Sequence, residues 1–165
     1  LVGVMIWAFA STSNTMVSNL IGQGLEDKVV KAINKIAWLS IGTTIVILII
    51  LNLYPDHFLG LFGQDRLFVK DAIPVLRVVS LGMIMMSIAS IWLNAVTGTG
   101  KTKMNLAIEA AAIVVYLVYT FILVKQLHLS LAIVWSNEMI YWLLIFLVSF
   151  WFIKKGNWIK DDKMF

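Results

Sequence analysis

Long stretches without a single charged side chain limit this chain more than any other feature. Leu1 to Leu25 carries no Asp, Glu, Lys or Arg, and neither does Ile36 to Leu53 or Val78 to Gly100. Runs of about 20 apolar residues match a helix crossing a hydrocarbon core of about 30 Å. Hydrocarbon offers no hydrogen-bond partner to bare backbone, so such runs are expected as helices. The sequence does not show the apolar–polar alternation over short segments that marks a membrane barrel. Composition agrees: 61% of the 165 residues are hydrophobic and 13% are charged, against about 25% charged in ordinary soluble domains. A disordered chain is excluded, and a water-soluble domain is argued against.

Charged residues divide the chain into five expected spans, 1–24, 36–53, 73–96, 104–124 and 131–153, in one membrane domain covering 1–165. Glu109 interrupts the fourth span and Glu138 the fifth. Tyr54-Pro55-Asp56 ends the second, and Pro74 suits the first turn of the third. Leu25 to Ile33 reads as a short amphipathic lead-in. The 56–72 link, with Phe58, Leu59, Leu61 and Phe62, suggests a piece lying at the interface. Residues 97–103 and 125–130 read as tight turns. The fold class is therefore an all-α integral membrane protein.

The apolar run is already under way at Leu1, which suggests that more chain precedes it. Nine of the 13 Lys and Arg fall on one side of the spans: Lys28, Lys31, Lys35, Lys101, Lys103, Lys154, Lys155, Lys160 and Lys163. Arg66, Lys70, Arg77 and Lys125 fall on the other. The richer side is expected to be cytoplasmic. That puts the C-terminus inside, in a multi-pass protein of the cell (inner) membrane. The net charge of +4 is thus read as topology, and nucleic acid is not an expected partner. The lipid bilayer is. With no cysteine, disulfides and thiolate metal sites are excluded, and no metal or organic cofactor is expected.

The second half of the first span is crowded with polar side chains: Ser11, Thr12, Ser13, Asn14, Thr15, Ser18, Asn19 and Gln23. Small hydroxylated residues let helices approach closely and hydrogen-bond in lipid. Two Asn among five hydroxyls also suit a helix that lines a wet cavity. Glu109 and Glu138 are the charges deepest in apolar sequence, and a carboxylate there is costly and usually functional. A rise of about 1.5 Å per residue puts Glu109 roughly 8 Å and Glu138 roughly 22 Å from the same side, so direct pairing is not expected. Glu109 shares a helical face with Ile113, Tyr116 and Thr120, and Glu138 with Tyr141, Trp142, Ile145 and Ser149. Aromatic faces beside a carboxylate suit an organic cation. Expected cavity-lining residues are Ser11, Thr12, Asn14, Ser18, Asn19, Asn94, Tyr116, Thr120, Asn137 and Tyr141. Glu109 and Glu138 are the candidates for binding substrate or a coupling ion. Trp151 and Trp158 are expected to pack or to anchor at the membrane edge.

Other features are set aside. Ala95 to Thr102, Ala-Val-Thr-Gly-Thr-Gly-Lys-Thr, nearly spells a phosphate-binding loop, but membrane spans flank it where a strand and a soluble helix are needed. Its role is read as a tight turn. His57 and His128 lie in external links without a second ligand nearby. An enzyme needs a convergent nucleophile, base or metal set, and the sequence holds none: no Cys, no intramembrane His and no close acid pair.

Two stretches resemble the multidrug and toxic compound extrusion (MATE) family of efflux transporters. One is Ser11-Thr12-Ser13-Asn14-Thr15-Met16-Val17-Ser18-Asn19-Leu20-Ile21-Gly22-Gln23-Gly24, similar to the family's hydroxyl-rich helix ending in Gly-Gln. The other is Gly98-Thr99-Gly100-Lys101-Thr102-Lys103, similar to its Gly-x-Gly-x-Thr-basic turn. Gly22, Gln23, Gly98, Gly100 and Thr102 are thereby marked as motif positions with structural roles. The resemblance implies a twelve-helix protein in two six-helix lobes with a cavity between them, of which this chain matches helices eight to twelve. It implies alternating-access export of amphipathic or cationic organic compounds, such as drugs, in exchange for sodium ions or protons. The N-terminal remainder of the same transporter becomes the expected partner. Two departures stand out: Lys101 occupies a place where an acid is common, and the third span has no acid. The runner-up is a lipid-linked oligosaccharide flippase of the same superfamily, whose cavity should be cationic. Arg77, at an expected helix start, is the nearest cation to the membrane interior and argues against it. A structural subunit without a transport role is a further alternative, disfavoured by the buried Glu residues.

Overall fold

The computed structural model describes residues 2–60, 66–126, 130–156 and 158–159, and every regular element among them is helical. Leu61, Phe62, His128, Lys160 and Lys163 lie outside the described residues. The first helix, α1 (Val2–Gly22), leads through a 3₁₀ turn at Glu26–Lys28 into α2 (Val29–Leu53). A short α3 (Pro55–Gly60) precedes the long α4 (Arg66–Gly98). Next comes α5 (Thr102–Phe121), which widens into a π turn at Ile122–Gln126. The one-turn α6 (Leu131–Val134) precedes α7 (Asn137–Lys155).

Helix α4 is the hub. It touches two pairs of helices that also touch each other, α1 with α2 and α5 with α7. Its C-terminal half is largely buried: Ala89, Ile91, Trp92, Leu93, Ala95 and Val96 form the core with Ala10, Val17, Val29, Ile33, Ile108, Ile145 and Ile153, and the polar Ser87, Ser90 and Asn94 stand among them. The links that carry Lys28, Lys101 and Lys103, and the end of α7 with Lys154 and Lys155, gather at this end of the bundle.

Outside this core, large apolar side chains face outward. Trp38 is 73% exposed, Leu67 74% and Leu117 59%. In water such a surface would aggregate, whereas in hydrocarbon it is an ordinary outer wall. Among the described residues four helical stretches are long and apolar enough to cross a membrane: Glu26–Leu53, Leu67–Gly98, Thr102–Lys125 and Asn137–Lys155. The sequence suggested five. At 21 residues α1 has the length, but its Ser11–Asn19 cluster dilutes its apolar content.

Three expectations are corrected. Pro74 lies inside α4 and not in its first turn. Its ring nitrogen cannot bond the Lys70 carbonyl, a loss that is tolerable where water or headgroups reach the helix. Arg77 is consequently mid-helix, not at a helix start. The expected single span 131–153 is broken: backbone bonds tighten to i→i+3 at Ser136 N–Ile133 O (3.0 Å) and Met139 N–Ser136 O (3.0 Å). Ser136 and Asn137, which compete for backbone groups, occupy the break.

The helix ends follow turn chemistry. Gly24, at φ +67, closes α1: Gly24 N donates to Ile21 O (2.9 Å) and Leu25 N to Leu20 O (2.9 Å). This paired closure needs the left-handed residue that glycine supplies without strain. Trp158 is buried and folds back so that its Nε1 donates to Ile153 O (3.0 Å), while Trp151 stays exposed beneath Lys155 Nζ, 4.5 Å from the ring centre. His57 sits in α3 with its ring edge-on to Tyr54.

Candidate functional site

The polar residues of α1 divide by face. One face is a seam against α4. Ser13 Oγ donates to Ile91 O (2.9 Å) and Ser18 Oγ to Gly98 O (3.0 Å). Gly98 permits this approach, since a Cβ there would lie 2.7 Å from Asn14 O and 2.8 Å from Val17 Cβ. Here the hydroxyls serve packing. On the opposite face, Thr12 and Thr15 bond their own helix, at Ala8 O (2.9 Å) and Ser11 O (3.1 Å). Ser11, Thr12, Thr15, Met16 and Asn19 line an open groove of about 250 Å³.

Between these faces lies a cavity of about 390 Å³ built from four helices. Helix α1 contributes Trp7, Ala10, Ser11 and Asn14, and α4 contributes Ser90, Leu93 and Asn94. Glu109 comes from α5, and Tyr141 and Trp142 from α7. The structure thus brings together Ser11, Asn14, Asn94, Glu109 and Tyr141 from the sequence-derived set. Counted from the lysine-rich helix ends, Asn14 lies about 12 Å deep, Glu109 about 10 Å and Trp142 about 20 Å, so the cavity occupies the middle of the bundle. Among the described residues Glu109 is the one charged side chain on its wall. It is half-buried, and its Oε1 accepts from Asn105 Nδ2 at 3.1 Å, one turn earlier on α5. The Asn105 Oδ1 is buried without a partner among the described residues.

Sequence reasoning missed Trp7 and Ser90. Both were legible as spacing: Trp7, Ser11 and Asn14 share one helical face, as do Ser90 and Asn94. Asn94 Nδ2 donates to Ser90 O (3.0 Å), and Ser90 Oγ to Met86 O (2.7 Å).

Glu138 occupies a separate pocket of about 260 Å³ with Ile113, Tyr116, Leu117 and Tyr141. It stands in the first turn of α7, where the helix dipole favours a negative charge. Its Oε2 accepts from Trp142 Nε1 at 3.1 Å. Gly82 of α4 lies close behind, since a Cβ there would be 3.2 Å from Glu138 Cβ. Tyr141 forms a wall of both pockets and interacts electrostatically with both carboxylates. Its ring packs edge-on against Tyr116 (5.9 Å between centres) and Trp142 (5.0 Å).

Three residues expected on a cavity wall are occupied with helix-to-helix bonds. Ser18 is bonded to Gly98, as above. Asn137 Nδ2 donates to Thr120 Oγ1 (2.9 Å), tying α7 to α5, and Asn137 Oδ1 is buried without a partner among the described residues. Tyr119 and Ser136 meet alongside, 3.4 Å apart. Of the motif positions, Gly22 ends α1, Gln23 N donates to Asn19 O (3.1 Å), Gly100 lies at the turn after α4, and Thr102 opens α5.

A seam closed by Gly98, a hydroxyl-rich first helix and a mid-bundle cavity are now in view, and the model of the family described as MatE matches residues 1–122. The chain belongs to the MatE family. Its members are membrane transporters and not enzymes, so this is a multi-pass membrane protein of the MATE superfamily. The matched residues span α1 to α5. Glu138, Tyr141 and Trp142 of α7 lie beyond them. No curated protein and no solved structure matches the chain.

Proposed function

We propose that this MATE-family chain forms part of a secondary transporter that exports amphipathic or cationic organic compounds in exchange for sodium ions or protons. In this reading all five long helices span the membrane as helices eight to twelve of a twelve-helix protein. The lysine-rich end faces the cytoplasm, the membrane is the inner membrane, and the missing lobe closes the cavity for alternating access.

The observation that carries the reading is the four-helix cavity with one carboxylate, Glu109, among aromatic and amide side chains. Trp7, Tyr141 and Trp142 offer ring faces to a cation, and Glu109 offers its counter-charge. The unpartnered Asn105 Oδ1 beside Glu109 is an oxygen that a sodium ion or a proton donor would satisfy. A flippase would need cations for a pyrophosphate, and the lining residues of this cavity carry none.

The test is ethidium transport by the purified full-length protein in proteoliposomes, under an imposed sodium gradient and, separately, a proton gradient. Movement driven by one gradient supports the reading. Absence of gradient-driven movement for any cationic dye overturns it.

A further inference from the structure

A groove of about 350 Å³ runs between α2 and α4 on the side away from both carboxylates. Its lining orders itself by depth. Arg77, Asn52 and Ser80 stand at one end, then Leu48, Ile49 and Leu81, then Ile45 and Ile84. Arg77 lies twenty-one residues before Gly98, about 31 Å along the helix. That distance equals the thickness of the hydrocarbon core, so the guanidinium sits at headgroup level on the membrane face opposite the lysine-rich links. Asn52 is one residue from the end of α2, at the same level. From there the lining of the groove is apolar: Leu48, Ile49, Leu81, Ile45 and Ile84.

Arg77 is exposed and makes no hydrogen bond or ion pair among the described residues. Among the described residues no carboxylate lines this groove. Asp71, the nearest acid on α4, opens onto a different one with Leu59, Phe68 and Leu131. Asn52 Nδ2 is already committed to Leu48 O (2.8 Å) and Ser80 Oγ (2.9 Å), and Ser80 Oγ to Leu76 O (2.7 Å). The polar rim is therefore held in place, with the guanidinium left as its free donor set.

We propose that this groove binds one anionic phospholipid, its phosphate on the Arg77 guanidinium and an acyl chain laid against Ile49, Leu81 and Ile84. A planar guanidinium matches a phosphate with two parallel hydrogen bonds. An anionic lipid is preferred over a zwitterionic one because no acid in the groove would receive an ammonium headgroup.

The test uses the full-length protein in detergent, with lipid retention read by native mass spectrometry. Phosphatidylglycerol, phosphatidylcholine and inorganic phosphate are added separately. Phosphatidylglycerol should be retained about tenfold better than phosphatidylcholine. Arg77→Gln should abolish that preference, and Ile49→Trp, which fills the groove without touching the cation, should weaken both lipids. Equal retention of the two lipids, or an Arg77→Gln protein that keeps the preference, overturns the proposal. So does inorganic phosphate that displaces the lipid while Ile49→Trp has no effect, which would leave a free-anion site. A wild-type protein that retains no lipid, because another helix covers the groove, overturns it as well. Retention is read without transport, so this result is independent of the dye experiment.

Discussion

The α1–α4 seam and the α5–α7 side of the bundle solve the same problem, joining helices in lipid, with opposite materials. At the seam the contacts are small and buried: Ser13, Val17, Ala95 and Val96 are fully covered, and hydroxyls bond the backbone of the partner helix. No ionisable group takes part. Between α5 and α7 the contacts run from side chain to side chain, Tyr116 with Tyr141 ring to ring and Asn137 with Thr120 by a hydrogen bond. In its 20 residues α5 buries only Ile108 and Ala112. Each carboxylate is held by a neighbour on its own helix, Glu109 by Asn105 and Glu138 by Trp142. Close approach leaves no room for a charged side chain and its partners, so the chemistry collects where the helices stand apart. The seam supplies rigidity, and the looser side supplies the site.

The sharpest way to break that contrast is Gly98→Val. A Cβ at this position meets the Asn14 carbonyl and Val17, which are backbone and a stiff branched chain. The expected cost is about 3 kcal/mol, read as a large fall in Tm in detergent or failure to recover a monodisperse protein. Gly82→Ala is a milder change of the same kind, made where α4 meets α7. Its nearest atom, Glu138 Cβ at 3.2 Å, needs to yield only slightly, at a cost of about 1 kcal/mol. Equal losses from the two changes would show that the seam is no tighter than the rest.

The two carboxylates sharpen the comparison within the looser side. Glu109 faces a cavity shared by four helices, whereas Glu138 sits in a shallower pocket at a helix start. Glu109→Gln should lower gradient-driven ethidium transport about tenfold, the worth of one lost charge-assisted contact. Glu138→Gln should lower it about twofold, with a stability loss of about 0.5 kcal/mol from the helix dipole. Proteoliposome rates and Tm values on the same preparations check both. A larger transport loss at Glu138 would reverse the assignment.

The long helices were legible because hydrocarbon filters composition so strongly: the uncharged run 36–53 lies within α2, and 78–100 follows α4 to its end at Gly98. The separation of Glu109 from Glu138 also followed from helical rise alone. Boundaries at the end away from the lysine-rich links were not legible. Pro74 reads as a helix start by local chemistry, yet α4 begins at Arg66 and carries it inside. The break at Ser136 is set by three polar residues inside an apolar run, a signal too local for a span-length reading. Which hydroxyls of α1 pack and which face open space depends on where α4 lies. A 3.6-residue period gives faces but does not say which face meets a neighbour, and only the Gly98 approach decides that Ser13 and Ser18 point inward.

That last distinction yields the smallest effects. Ser13 Oγ is fully buried and bonds another helix, at Ile91 O, whereas Thr15 is exposed and bonds its own helix, at Ser11 O. A bond between helices is lost on truncation and nothing in lipid replaces it, so Ser13→Ala should cost about 1 kcal/mol. A hydroxyl bonded back to its own helix adds little to assembly, so Thr15→Ala should stay within about 0.5 kcal/mol of the parent. Thermal unfolding of the two variants in the same detergent measures the difference. If Thr15→Ala proved the more costly, its face of α1 would be packed against protein in the assembled transporter, and the open groove along Ser11, Thr12, Thr15 and Asn19 would belong to a helix interface.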